Sequence, residues 1–217
     1  ERANIVLGRY FSPDIKDEIE KTASTFENQS SKDLDIAIMF TDIVGFTKLS
    51  EKMDPKDVLL LLSEYQTMMV DSIFAHKGTV DKFIGDAVMA NFGTPKSSGN
   101  DAQNAFNCAL DMNERLKNWN QLRKEKGLQQ LSHRIGIHYG RCVFGNIGSK
   151  LRTEFAVIGD PVNVASRICD SCKEFDTNFV VSKEFADKII LPKKYKNIKN
   201  FKIRGRKKGI DLVKIYD

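Results

Sequence analysis

Ile36-Ala37-Ile38-Met39-Phe40-Thr41-Asp42-Ile43-Val44-Gly45-Phe46-Thr47 is the stretch on which the fold turns. Its first five residues are all apolar, the pattern of a strand covered on both faces of a sheet. Asp42 follows where that strand should emerge. Gly45 then lets backbone come close to a ligand, and a helix is expected from Phe46 or Thr47. A carboxylate at a strand end, a glycine loop and a helix start together suit a metal–phosphate complex.

Outward from this stretch, local signals define the next elements. Asp54-Pro55-Lys56-Asp57 carries a cap, a proline at the first helical position and an acid in the first turn. Val58, Leu61, Leu62, Tyr65, Met69 and Ile73 then recur at helical spacing, and Gly78 ends the helix. Thr79 to Asn91 predicts a hairpin turned by Gly85-Asp86. Asp86 thereby reaches a sheet end, as Asp42 does. A long helix is expected over about Asp101 to Lys126. A strand-rich segment follows from Arg134 to Asn146, with a bend or bulge around Gly140, and then a short strand from Glu154 to Ile158. Asp160-Pro161 starts another helix, with Val162, Ala165, Cys169 and Cys172 on one side and Asn163, Arg167 and Asp170 on the other. The tail predicts a strand near Phe179–Val181, a small helix after Ser182, and strands at Ile198–Ile203 and Ile210–Tyr216. The order β-α-β-β-α-β with additions predicts an α+β fold: a ferredoxin-like βαββαβ core, extra C-terminal strands and helices, and helices on one face of a mainly antiparallel sheet.

The 217 residues suffice for one large domain or two small ones, and 41% are apolar, as in ordinary globular chains. Residues 1–33 are expected to form a connecting segment, with a helix from Ser12-Pro13-Asp14 to about Phe26, and 34–217 the main domain. The chain begins at Glu1 without Met, as a piece of a longer protein would. No signal peptide is visible, and the longest aliphatic run, Val58–Leu62, is too short to cross a bilayer. A reducing cytosol fits four cysteines in a chain of this size. The domain is therefore expected to be cytoplasmic, within a whole protein that is soluble or membrane-attached. Net charge is +5, and residues 193–208 hold nine Lys or Arg and no acid. That run has little aromatic interleaving, so a solvated face plus a phosphate grip outweighs nucleic-acid binding.

Asp42 and Asp86 are two hard oxygen ligands that suit Mg²⁺ or Mn²⁺ with a phosphate substrate, though spacing alone equally allows two turn residues. Asn163 and Arg167 share a helix face from which an amide can orient a ribose and a guanidinium can stabilise phosphoryl charge; a solvated polar face has the same spacing. Lys82 lies within an apolar strand, where it either snorkels outward or meets an acceptor. Arg141, Arg204 and Arg206 could hold a triphosphate or simply be exposed. Cys169-x-x-Cys172 lacks a second pair or a nearby His and is read as core. His76, His133 and His138 are scattered, with no nucleophile–base pair.

Phe40-Thr41-Asp42-Ile43-Val44-Gly45-Phe46-Thr47, Lys82-Phe83-Ile84-Gly85-Asp86-Ala87, Gly136-Ile137-His138-Tyr139-Gly140-Arg141 and Gly159-Asp160-Pro161-Val162-Asn163-Val164-Ala165-Ser166-Arg167 occur in this order. Over about residues 34–217 the chain resembles the class III nucleotide cyclase catalytic domain, most like a bacterial adenylyl cyclase. Arg9-Tyr10-Phe11-Ser12-Pro13 is similar to the stretch that joins such domains to an upstream sensor. The resemblance implies two metal ions held by Asp42, Asp86 and the Ile43 carbonyl. It implies β- and γ-phosphate binding by the backbone of Val44, Gly45, Phe46 and Thr47, and a polyphosphate grip by Arg141 and Arg204. Asn163 would position the ribose and Arg167 would stabilise the pentavalent phosphorus. Lys82 would read adenine, where guanylyl enzymes carry Glu. Ala156 stands at the second base-reading position, usually Asp or Thr, and cannot hydrogen-bond the base. One lost hydrogen bond is worth ~0.5–1.5 kcal/mol of discrimination. The resemblance further implies ATP as substrate and a head-to-tail homodimer, with the aspartates from one protomer and Lys82, Asn163 and Arg167 from the other.

Overall fold

The computed structural model describes residues 31–149, 152–206 and 208–216. The connecting segment expected at 1–33, with its helix, lies outside these residues except for its last three. Those three are not loop: strand β1 runs Ser31–Ile43, and Ser31 to Asp33 pair with Gly145 to Val143. Cross-strand pairing carries this polar start of β1, which has no apolar pattern of its own.

After β1 come α1 (Phe46–Ser50), α2 (Pro55–Ala75), β2 (Thr79–Ile84), β3 (Ala87–Phe92), α3 (Asp101–Glu125) and β4 (His133–Ser149). Then follow β5 (Arg152–Ile158), α4 (Asp160–Ser171), β6 (Phe179–Ser182), α5 (Lys183–Ala186), β7 (Tyr195–Phe201) and β8 (Ile210–Ile215). The strands form one sheet in the order β2-β3-β1-β4-β6-β8-β7, with β5 paired to β4 beside this path. Among the described strands only β4 and β6 run parallel. The first four strands have the ferredoxin-like order, so the expected α+β architecture is the one found.

Local chemistry explains α2. The Asp54 side chain accepts a hydrogen bond from the Lys56 N–H, and Pro55 opens the helix. Its length and composition would suffice to cross a membrane, yet Leu61, Tyr65, Met69 and Ile73 are buried in the core. Each such side chain contributes about 1.5–3 kcal/mol of burial. The helices do not all share one face, contrary to expectation. Ala37 and Met39 face the cluster under α2 and α3, whereas Ile36, Ile38 and Phe40 face Ala165 and Cys169 of α4. Alternation along β1 requires this, because both faces of the strand are apolar.

Two glycines of β4 seat α4. A Cβ on Gly136 would lie 2.2 Å from the Cys169 nitrogen, and one on Gly140 would lie 2.7 Å from Pro161. The glycine expected to mark a bulge therefore makes room for a helix, and the β1–β4 register runs unbroken past it. Pro161 to Cys169 spans about 12 Å of helix, and Gly136 to Gly140 about 13 Å of strand. So α4 lies antiparallel along β4, with its C-terminal end over Arg134. Its N-cap is Gly159, without a side-chain cap. Asp160 bonds elsewhere, as described below.

Candidate active site

Asp42 and Asp86 are brought together as expected. Asp86 Oδ2 accepts a hydrogen bond from the Ile43 N–H at 2.9 Å, which holds the hairpin turn against the end of β1. Asp42 is 24% exposed, and its Oδ2 stands 3.7 Å from an Arg134 guanidinium nitrogen. Its Oδ1 is buried with no hydrogen-bond partner. Burial raises the Asp42 carboxyl to about 6, Arg134 opposes this, and the Asp86 charge adds to it. An orphaned carboxylate oxygen beside a second carboxylate fits a hard divalent cation. Among the described residues no third His, Cys, Asp or Glu joins them, so the protein ligands would be these two carboxylates and a backbone carbonyl.

The loop after β1 offers fewer unpaired amides than expected. The Val44 N–H is committed to the Ser132 carbonyl at 2.8 Å, which leaves Gly45, Phe46 and Thr47 as the amides that can face phosphate. Gly45 is left-handed, with φ 71. Beneath Asp42 runs a buried polar chain that sequence reasoning missed. Thr41 Oγ1 meets Tyr65 Oη at 2.5 Å, Tyr65 meets His133 Nδ1 at 3.2 Å, and His133 Nε2 meets Asn113 Oδ1 at 2.7 Å. Burial lowers His133 to about 4, so its ring is neutral: Nδ1 accepts from Tyr65 and Nε2–H donates to Asn113. Arg134 and His133 stand opposite Asp42 and Ile43 in the β1–β4 register, a pairing of distant segments that no local signal gives.

Lys82 is 42% exposed and meets an acceptor as well: its ammonium is 3.4 Å from Oδ1 of Asp81, which is 2% exposed. Ala156 is buried on β5 and pairs with Gly145. Its neighbour Val157 donates its N–H to Asp81 Oδ2 at 3.1 Å, so Lys82 and the strand that carries Ala156 are tied together through Asp81.

Asn163 is exposed and Arg167 half-buried on α4. Arg206, on the loop between β7 and β8, pairs with Asp160 at 3.0 Å. In that loop Gly205 has φ +83, and a Cβ there would lie 3.1 Å from Arg167 Nη1. The Gly205→Ala variant is thus expected to lose about 1 kcal/mol of stability from backbone strain and to lower kcat several-fold by displacing the guanidinium. A thermal melt and steady-state kinetics check both. Arg204 is exposed on the same loop. Arg141 is 68% exposed and pairs with Asp33 at 3.4 Å. Arg141 stands opposite Asp35 and Arg134 opposite Asp42, so Arg141 is about 20 Å along the strands from the aspartate pair. Within one chain Arg141 and the aspartate pair therefore do not meet around a single triphosphate.

Residues 28–211 match the adenylate and guanylate cyclase catalytic domain. The chain belongs to this family. The cyclase domain is 34% identical over 181 residues to adenylate cyclase 1 of Rhizobium meliloti, covering 83% of this chain and 27% of that protein. It is 33% identical over 187 residues to an adenylate cyclase of Anabaena cylindrica, covering 83% and 36%. It thus spans about a third or less of the length of such relatives. Among solved structures, the adenylyl cyclase CyaB from P. aeruginosa superposes with a TM-score of 0.78 at 28% identity, over 87% of this chain and 96% of that one. The guanylyl cyclase Cya2 superposes at 0.74 and 31%, over 86% and 93%. Relatives of both substrate types therefore share this fold.

The remaining motifs are structural. All four cysteines are free and buried, and burial pushes Cys172 up to about 12. The basic run follows β7, a sheet-edge strand that is largely exposed. Lysines on such an edge block pairing with another sheet.

Proposed function

We propose that this domain is an adenylyl cyclase that converts ATP to 3′,5′-cyclic AMP and pyrophosphate, at sites shared between two head-to-tail copies. The orphaned Asp42 Oδ1 beside Asp86 carries the reading, because that arrangement calls for a cation at a strand end next to a phosphate-sized loop. Asp42, Asp86 and the Ile43 carbonyl would hold Mg²⁺ or Mn²⁺, which when bound would supply a lowered pKa for the ribose 3′-hydroxyl and neutralisation of phosphate charge. The free amides of Gly45, Phe46 and Thr47 hold the β- and γ-phosphates, with Arg141 and Arg204 of the other copy closing on them. Asn163 orients the ribose so that the 3′-oxygen attacks the α-phosphorus in line. Arg167 stabilises the charge that develops on the equatorial oxygens as pyrophosphate leaves. Lys82 donates to the purine ring and favours adenine.

The separation of Arg141 from the aspartate pair supports the two-copy site. A guanylyl or dual-specificity cyclase is the second reading, favoured by Ala156, which offers the base no hydrogen bond. A non-catalytic nucleotide-binding domain is disfavoured by the intact set of carboxylates, Asn163, Arg167 and Lys82. The full-length protein would carry a regulatory domain upstream of residues 1–33, with this domain on the cytoplasmic side.

Production of cyclic AMP from ATP and of cyclic GMP from GTP, measured against protein concentration with Mg²⁺ or Mn²⁺, tests the whole reading. Expected are a clear ATP preference, turnover per chain that rises with concentration, and complete loss on chelation. Faster GTP turnover would reverse the substrate, and an inactive dimer in saturating Mn²⁺ and ATP would overturn the catalytic assignment.

A further inference from the structure

The β2–β3 ladder is broken at one place. Val80 pairs with Ala90 and Lys82 with Met89, so Asp81 is an extra residue in a bulge. Consecutive strand residues normally point to opposite faces, but a bulge re-aims them. Here it brings the Asp81 carboxylate to 3.4 Å from the neighbouring Lys82 ammonium. The carboxylate is nonetheless interior. Its Oδ2 accepts from the Val157 N–H, 76 residues away on β5, while Oδ1 is buried without a well-aligned hydrogen bond.

A buried, under-bonded carboxylate in a bulge is costly unless something uses its charge. We propose that Asp81 sets the base preference of the site, fixing the Lys82 ammonium from behind and supplying the negative potential that Ala156 cannot. The assignment rests on the cyclase reading, in which Lys82 faces the purine. Position 6 of adenine is an amino group, a donor with partial positive charge. Position 6 of guanine is a carbonyl, an acceptor with partial negative charge. A carboxylate just behind Lys82 favours the first and disfavours the second without touching either. Its hold on Val157 also keeps β5, and so Ala156, at a fixed distance from Lys82. Burial raises the Asp81 carboxyl, and Lys82 opposes that rise.

Asp81→Asn tests this, because the amide oxygen can still accept from Val157 while the charge is lost. The ratio of ATP to GTP kcat/KM should fall roughly fivefold to tenfold. A merely structural strut would weaken both substrates alike and leave the ratio unchanged, which would overturn the proposal. In a Lys82→Met background the same substitution should change the ratio less, because the share that Asp81 exerts by fixing the ammonium is already gone; an undiminished effect there would also overturn it. Binding of 3′-deoxy-ATP and 3′-deoxy-GTP, which lack the attacking hydroxyl, supplies a second readout, by displacement of a fluorescent ATP. Wild-type protein that prefers 3′-deoxy-ATP, loses that preference in Asp81→Asn and yet makes no cyclic product would sink the cyclase reading and uphold Asp81. Cyclic product with a ratio indifferent to Asp81→Asn would do the reverse.

Discussion

Arg167→Ala is expected to lower kcat by roughly 10²–10³-fold, the effect of deleting one preorganised donor to a developing oxyanion. KM for ATP should change far less, because the guanidinium matters most when charge builds on the phosphorus. The fold should survive. Arg167 is only half-buried, and the α4 residues that pack on the sheet, Ala165, Ile168 and Cys169, are untouched. Arg167→Lys should recover little, since one ammonium cannot reproduce a planar fork of donors. Thermal melting and steady-state kinetics separate the two effects. A kcat within fivefold of wild type in Arg167→Ala would remove this residue from the transition state.

The same variant tests whether a site is shared. Mixed in equal amounts with an Asp42 variant, it forms mixed dimers in which one of two sites keeps both Asp42 and Arg167, if those residues come from different copies. About a quarter of wild-type activity should then return from two inactive proteins. If each site drew both residues from one copy, mixing would restore nothing.

Elements whose causes are local were legible in the sequence. Asp54-Pro55 starts α2 and Gly85-Asp86 turns the hairpin because cap and turn chemistry acts over a few residues. The Asp42–Asp86 pair was legible for the same reason: each caps the end of an apolar strand. Contacts between distant segments were not. Gly140 suggested a bulge, but its missing side chain makes room for Pro161, which no local rule anticipates. The bulge lies instead at Asp81, whose partner Val157 is 76 residues away. The Val44 amide was expected at phosphate on the resemblance alone, whereas the Ser132 carbonyl, 88 residues away in the chain, takes it. Helices were expected on one face because the βαββαβ core supplies only that layer. The second layer comes from α4, after the core is complete.

Asp42→Asn is expected to act in opposite directions on activity and on stability. Activity should fall by at least 10²–10³-fold, since the variant removes a charged ligand from the cation that activates the nucleophile. In metal-free protein, however, the variant should be the more stable of the two. The Asp42 carboxyl sits at about 6 against an ordinary 3.8, net of the Arg134 attraction. A raised carboxyl opposes folding above the folded value and not below the unfolded one. The burden is therefore complete near pH 7, shrinks as pH falls from about 6, and vanishes near 4. Two units correspond to about 2–3 kcal/mol at neutral pH, relieved when Asn replaces the charge. Urea denaturation in chelator at pH 7 and pH 4.5 should show a wide gap between variant and wild type at the first and a narrow one at the second. Added Mg²⁺ should then raise the Tm of wild type but not of Asp42→Asn, because only the former binds the cation in its folded state. Equal metal-free stabilities at pH 7, with an Mg²⁺ response kept by the variant, would mean that Asp42 is a turn residue and that the cation is held elsewhere.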